Sequence, residues 1–264
     1  MLNYDFMLNA LVAGIAISLC AALVGVTLVL RRNAMISDGL SHTAFASFAL
    51  ATAFGFAPLY FSLPIVILSS YFILHLSRSP RFRGDSAIAI LSASSLALGT
   101  AATSLSSGIN IDFCNYLFGS VLAISQTELI FSLVLMVLVL LFYIFAYHHI
   151  FAITFDQDFA KSIGLNANLY DTIFAIICSI VIVLGMRLLG ALLISSLVVF
   201  PTVTAMRFAK TFRSVVLSSA IISVVCFILG LTASFYLATP AGASVVITNL
   251  LAFSLASLYN SLNH

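Results

Sequence analysis

Along this chain, long apolar runs alternate with short polar breaks. Nine apolar segments can be delimited, at roughly 7–30, 34–57, 59–77, 86–105, 127–149, 169–186, 189–207, 214–238 and 242–262. Most approach or exceed the ~20 apolar residues that a helix needs to cross ~30 Å of hydrocarbon. The runs are continuous rather than alternating, which argues for helices and against a membrane β-barrel. The stretch 106–126 carries Ser106, Ser107, Asn110, Asp112 and Asn115. It is too polar to span and predicts a short surface or interfacial helix. Segment 189–207 follows Gly185, has Gly190 at its start and contains Pro201. Proline removes a helical hydrogen bond, and a break at membrane depth persists only where protein or a watery path receives it. This segment is expected to be a short, broken helix beside a pathway, or else an ordinary kinked one. The expected fold is therefore an all-α polytopic membrane protein with about eight transmembrane helices plus a short broken helix. It is read as a single transmembrane domain over 1–264, with no internal repeat and no linker.

Composition sharpens this. Of 264 residues, 62% are hydrophobic and 7% charged, and mean hydropathy is +1.22. A soluble domain is about 45–50% apolar and about 25% charged, so the solvent of this chain is lipid. The net charge of +2 does not suit a nucleic-acid partner. Its distribution sets orientation, because basic residues collect in cytoplasmic loops. Arg31 and Arg32, then Arg78, Arg81 and Arg83, then Lys161, then Lys210 and Arg213 fall in alternate loops. The other loops hold Asp5, Asp112 and Glu128, with Arg187 the one basic exception. The N-terminus is expected outside and the C-terminus in the cytoplasm. Cys20, Cys114, Cys178 and Cys226 have no C-x-x-C spacing and read as packing thiols. The N-terminal flank is acidic and the first run too long for a cleaved signal peptide.

The main chemical signal is Asp38-Gly39-Leu40-Ser41-His42. Asp38 and His42, at i and i+4, share a helix face, with Ser41 beside them. An acid inside a membrane costs about 2.5–3.5 kcal/mol on insertion scales and usually meets a partner or a wet path. Carboxylate and imidazole are ordinary zinc ligands, but one helix supplies two where zinc commonly takes four. A two-fold dimer would supply the rest. From the residues alone, an Asp–His hydrogen bond that braces two helices accounts for the pair equally well. Gly39, Thr43, Ser47 and Ala51 form a small-residue stripe, as do Gly14, Ser18 and Ala22, and these two helices are expected to pack through them. His75, His148 and His149 read as interfacial side chains and His264 as part of the chain end.

Two polar stretches read as docking surfaces, 155–164 and 201–213. Each mixes aromatics with charge, as a helix seated in a partner's groove does; a helix lying on lipid has the same composition. No P-loop, H-E-x-x-H or G-x-S-x-G is present in the sequence, so any ATP that drives this protein is bound by another subunit.

Several stretches together carry a resemblance: Leu30-Arg31-Arg32 leading into Asp38-x-x-x-His42, Tyr116-Leu117-Phe118-Gly119-Ser120, Phe159-Ala160-Lys161-Ser162-Ile163-Gly164, Leu189-Gly190-Ala191-Leu192-Leu193, Pro201-Thr202-Val203-Thr204-Ala205 and Phe235 to Gly242. In order and spacing the chain resembles the metal-importing ABC permeases of the zinc/manganese/iron class, and among them the high-affinity zinc-uptake permeases of Gram-negative bacteria. The resemblance implies a homodimeric permease in the bacterial inner membrane, driven by a cytoplasmic ABC ATPase dimer. A periplasmic or lipid-anchored binding protein would deliver the metal. It implies no permanently bound cofactor, transported Zn2+ (or Mn2+ or Fe2+), and Asp38 and His42 as the intramembrane metal contacts. It further implies that Pro201, Thr204, Arg207, Phe208, Lys210 and Arg213 couple to the ATPase, with Ser41, Asp158 and Lys161 in support. Ser120 stands where close zinc permeases often carry an acid, and a second Arg near Met206 is missing; neither position is a ligand. Competing readings are a proton-coupled secondary transporter and a non-transporting scaffold.

Overall fold

The computed structural model describes residues 5–76, 84–105, 119 and 124–262. These form eleven helices: α1 (Asp5–Leu30), α2 (Met35–Ala53), α3 (Pro58–Leu76), α4 (Gly84–Leu105), α5 (Gln126–Phe145), α6 (Tyr147–Phe155), α7 (Gln157–Ser162), α8 (Ala167–Leu189), α9 (Ala191–Ala205), α10 (Phe212–Leu237) and α11 (Ala241–Leu262). The His75 side chain, Arg78, Arg81, Arg83, the 106–118 stretch with Asp112 and Cys114, Ser120 and His264 lie outside the described residues.

Six of these helices are long and apolar enough to cross a membrane: α1, α4, α5, α8, α10 and α11. This is fewer than the eight expected: α3 offers only the shorter apolar run Pro58–Ile73 among the described residues, and α2 is set apart by its polar residues. Its 19 residues include Ser37, Asp38, Ser41, His42, Thr43 and Ser47, which lower its hydropathy, and most of its surface is covered by protein rather than lipid. The segment with Pro201 is the short helix anticipated: α9 has 15 residues, roughly 22 Å of rise. The run 127–149 differs more. It bends at Ala146 into α5 and the separate α6. Tyr147 there packs on Phe212 (5.5 Å between ring centroids) and His149 stacks on Tyr170 (4.9 Å), drawing α6 onto α10 and α8.

Helix α1 is the core. It is apolar all round and 78% buried over its spanning window, whereas the windows of α4, α5 and α11 are each 22% buried. A helix apolar on every face belongs inside or against lipid. On α5 only Ser132, Leu135, Val139 and Tyr143 turn inward, while Ile130, Val134, Leu138 and Leu141 are exposed and apolar, as a lipid-facing stripe must be. Cys20, Cys178 and Cys226 are free and buried.

The small-residue stripes do not join α1 to α2 as expected. A Cβ on Gly25 would fall 1.9 Å from the Val198 carbonyl oxygen of α9, and one on Gly14 would overlap the Phe227 ring of α10. Ser223 of α10 donates to the Ser18 carbonyl at 2.8 Å. The α2 stripe meets α4 instead: Gly39 lies against Ile88 and Ser92, and Thr43 shares a hydrogen bond with Ser95 at 3.2 Å. Small residues permit close approach but do not name the helix that approaches.

Candidate metal passage and coupling surface

The Asp-x-x-x-His pair stands at the start of α2. Arg32 takes a positive φ of 59° in the turn that separates α2 from α1. Asp38 follows in the first helical turn, where unpaired N–H groups favour a negative charge. His42 Nε2 lies 3.7 Å from Asp38 Oδ2, with 22% of the His42 side chain and 45% of the Asp38 side chain exposed. That distance is beyond a hydrogen bond. Two ligands on one tetrahedral zinc at ~2.1 Å stand about 3.4 Å apart, so these two atoms need close by only a few tenths of an ångström to share an ion. His42 Nδ1 is buried and has no hydrogen-bond partner. Among the described residues, no group of three or more His, Cys, Asp or Glu gathers to hold an ion; one copy of the chain offers a pair.

Beside the pair, Ser41 Oγ donates to the Asp38 carbonyl at 2.8 Å and shares a hydrogen bond with Ser195 Oγ at 3.1 Å. Ser195 and Ser196 lie on α9, just past the Leu189–Gly190 break, and the Ser196 hydroxyl is buried without a partner. The sequence reading passed over both serines. Their signal was two adjacent hydroxyls in the apolar first half of that helix. Gly190 has φ +96° and ends α8 while starting α9. A Cβ on Gly119 would fall 2.2 Å from Leu189 backbone atoms, so Gly119 packs directly against this break.

Charges sort to the two ends of the bundle. At one end Arg31 donates to Asp171 at 2.7 Å, and Gln157 donates to the other Asp171 oxygen at 2.9 Å. This ties the ends of α1, α7 and α8 together. At the opposite end Arg187 pairs with Glu128 at 2.7 Å, which accounts for the one basic residue found among the acidic loops.

The two docking stretches come side by side. Phe212 is buried in a nest with Tyr147, Phe151 and Phe155, at ring distances of 5.4–6.1 Å. Around it Arg207, Phe208, Lys210 and Arg213 are exposed. So are Phe159 and the Lys161–Asp158 pair at 3.4 Å. Arg207 lies over the Phe253 ring at 5.2 Å. Pro201 and Thr204 are buried; they shape α9 and present no surface.

Comparison with known proteins adds four findings. Residues 3–260 match the model of the ABC 3 transport family. The chain is 33% identical over 253 residues to the high-affinity zinc uptake system membrane protein ZnuB of Haemophilus influenzae, covering 96% of this chain and 97% of that one. It is 28% identical over 251 residues to the manganese import system permease protein ScaB of Streptococcus gordonii, covering 95% and 90%. Among solved structures, PsaBC from Streptococcus pneumoniae in complex with Fab superposes with a TM-score of 0.86 at 25% identity, covering 99% of this chain and 96% of that chain.

Proposed function

Because this multi-pass membrane chain belongs to the ABC 3 transport family of metal permeases, we propose that it is the permease subunit of an ATP-driven importer that moves Zn2+ into the cytoplasm by alternating access. The carrying observation is the Asp38–His42 pair on α2, 3.7 Å apart and partly open to the outside of the protomer. The ion meets Asp38 and His42 from two copies of the chain, and water completes a shell weak enough for release. The proton-coupled reading would use the same pair as a proton relay, and the scaffold reading would use it as a brace between helices.

The bundle end with Arg31, Lys161, Lys210 and Arg213 faces the cytoplasm, following the bias of basic loops. There the exposed Arg207, Phe208 and Lys210, with Asp158 and Lys161, receive a separate ATPase dimer. Pro201 and Thr204 are buried within α9, which meets α1 at Gly25 and α10 through the Thr202–Ser219 hydrogen bond, so that ATP-driven closure at this surface reaches Ser195 and the pair. A metal-binding protein docks at the opposite end, beside Glu128 and Arg187.

Manganese is the second reading, favoured by the manganese permease at 28% identity against 33% for the zinc permease. Donor types alone do not separate the two metals. Proteoliposomes holding the chain and its ATPase decide the question: uptake of radiolabelled Zn2+ in excess Mn2+, with and without vanadate. Vanadate-sensitive zinc uptake that manganese does not compete away is expected. Vanadate-insensitive uptake returns the proton-coupled reading.

A further inference from the structure

A groove of about 630 Å³ opens between α1, α5, α6 and α10, away from Asp38 and His42. Its walls are Leu19, Leu23, Leu140, Ile144, Leu217 and Ala220, and its mouth carries Tyr147, His148 and Arg213. The floor is closed to polar ligands: the Tyr143 hydroxyl donates to the Leu23 carbonyl and shares a hydrogen bond with Thr27 Oγ1 at 2.7 Å, so Tyr143 presents only its ring. The mouth is the reverse. Arg213 is exposed, and no ion-pair partner holds it among the described residues.

We propose that this groove is a binding site for one anionic phospholipid, with the phosphate on Arg213 and His148 and an acyl chain laid along α10. The site rests only on membrane placement and is independent of the transported ion. Position and length agree with such a ligand. The wall residues come from the later turns of α1 and α5 and the first turns of α10, so the charged mouth lies at the end that carries Arg31. From Arg213 to Ala220 the groove rises roughly 10 Å, about two-thirds of a ~15 Å leaflet. A guanidinium that forks onto phosphate oxygens above an apolar trough matches a lipid at both of its ends. Zwitterionic lipid offers the same tail but no net charge.

Native mass spectrometry of the delipidated chain tests this, with phosphatidylglycerol or phosphatidylcholine added back. The wild type is expected to retain one phosphatidylglycerol about fivefold more tightly than phosphatidylcholine. Arg213→Ala removes that preference, Ala220→Phe fills the trough and removes retention of both lipids, and Lys210→Ala, outside the groove, changes neither. Equal retention of the two lipids by the wild type, or an undiminished preference in Arg213→Ala, overturns the proposal. So does efficient disulfide cross-linking between copies through Ile144→Cys, which makes the groove an interface between two chains.

Discussion

Arg31 and Asp171, 140 positions apart in sequence, meet at 2.7 Å with side chains only 15% and 7% exposed. Nearly buried, the pair gains little from water and depends on its own geometry. Asp171 also accepts from Gln157, and the Arg31 guanidinium lies 5.7 Å from the centre of the Phe174 ring. Removing one partner of such a pair strands the other, at a cost of about 3–5 kcal/mol. Asp171→Ala is therefore expected to lower the melting temperature in detergent sharply. The double variant Arg31→Met, Asp171→Leu is expected to recover most of the loss. Equal destabilisation by the single and double variants would show that charge stranding is not the cause.

The Glu128–Arg187 contact behaves differently, because Arg187 is 37% exposed. Exposed pairs contribute about 0–1 kcal/mol. Glu128 also closes a capping box with Ser125 at the start of α5, and a cap is worth about 1 kcal/mol. Glu128→Ala is expected to cost more than Arg187→Ala in thermal melts, and the reverse order would remove the cap from this account.

Gly25 supplies a test of the α1–α9 contact. Gly→Ala inside a helix normally stabilises by about 1 kcal/mol. Here the new Cβ meets the Val198 carbonyl oxygen at 1.9 Å, and neither backbone can yield without parting the helices. Gly25→Ala is expected to destabilise by at least about 1–3 kcal/mol, read as early unfolding or a lost monodisperse peak on size exclusion. A stabilised Gly25→Ala protein would show that α1 and α9 are not in contact.

At the proposed metal pair, Asp38→Ala and His42→Ala are expected to abolish radiozinc uptake while leaving the ATPase bound. Ser195→Ala removes a hydrogen bond to Ser41 rather than a ligand, so a smaller loss of about 10–100-fold is expected, the range for groups that position a metal ligand. Full transport by the Asp38→Ala, His42→Ala double variant would refute the site.

On the coupling surface, burial separates two kinds of aromatic residue. Phe212 is 7% exposed, while Phe159 and Phe208 are 55% and 50% exposed. Phe212→Ala is expected to cost about 3–5 kcal/mol of stability. Phe159→Ala and Phe208→Ala are expected to leave the melting temperature unchanged and to weaken retention of the ATPase in pull-downs. Undiminished ATPase binding by both exposed variants would remove this surface from the coupling role.

Local patterns made much of this protein legible before its tertiary structure. Apolar runs marked the long helices to within a few residues, though not α6 and α7; the Gly190–Pro201 region marked the short helix, and one-turn spacing put Asp38 and His42 on a common face. These follow from helical periodicity and from the demand that every backbone polar group in lipid be satisfied within its own segment. Tertiary structure alone decided which faces meet. The stripes at Gly14 and Gly39 chose α10 and α4 rather than each other. Ser41 found Ser195, 154 positions away, and Arg31 found Asp171. In lipid, one apolar or small-residue face serves a neighbouring helix as well as another, so composition ranks no partner above the rest. The choice falls to backbone clearances and single hydrogen bonds, which exist only once the helices are assembled.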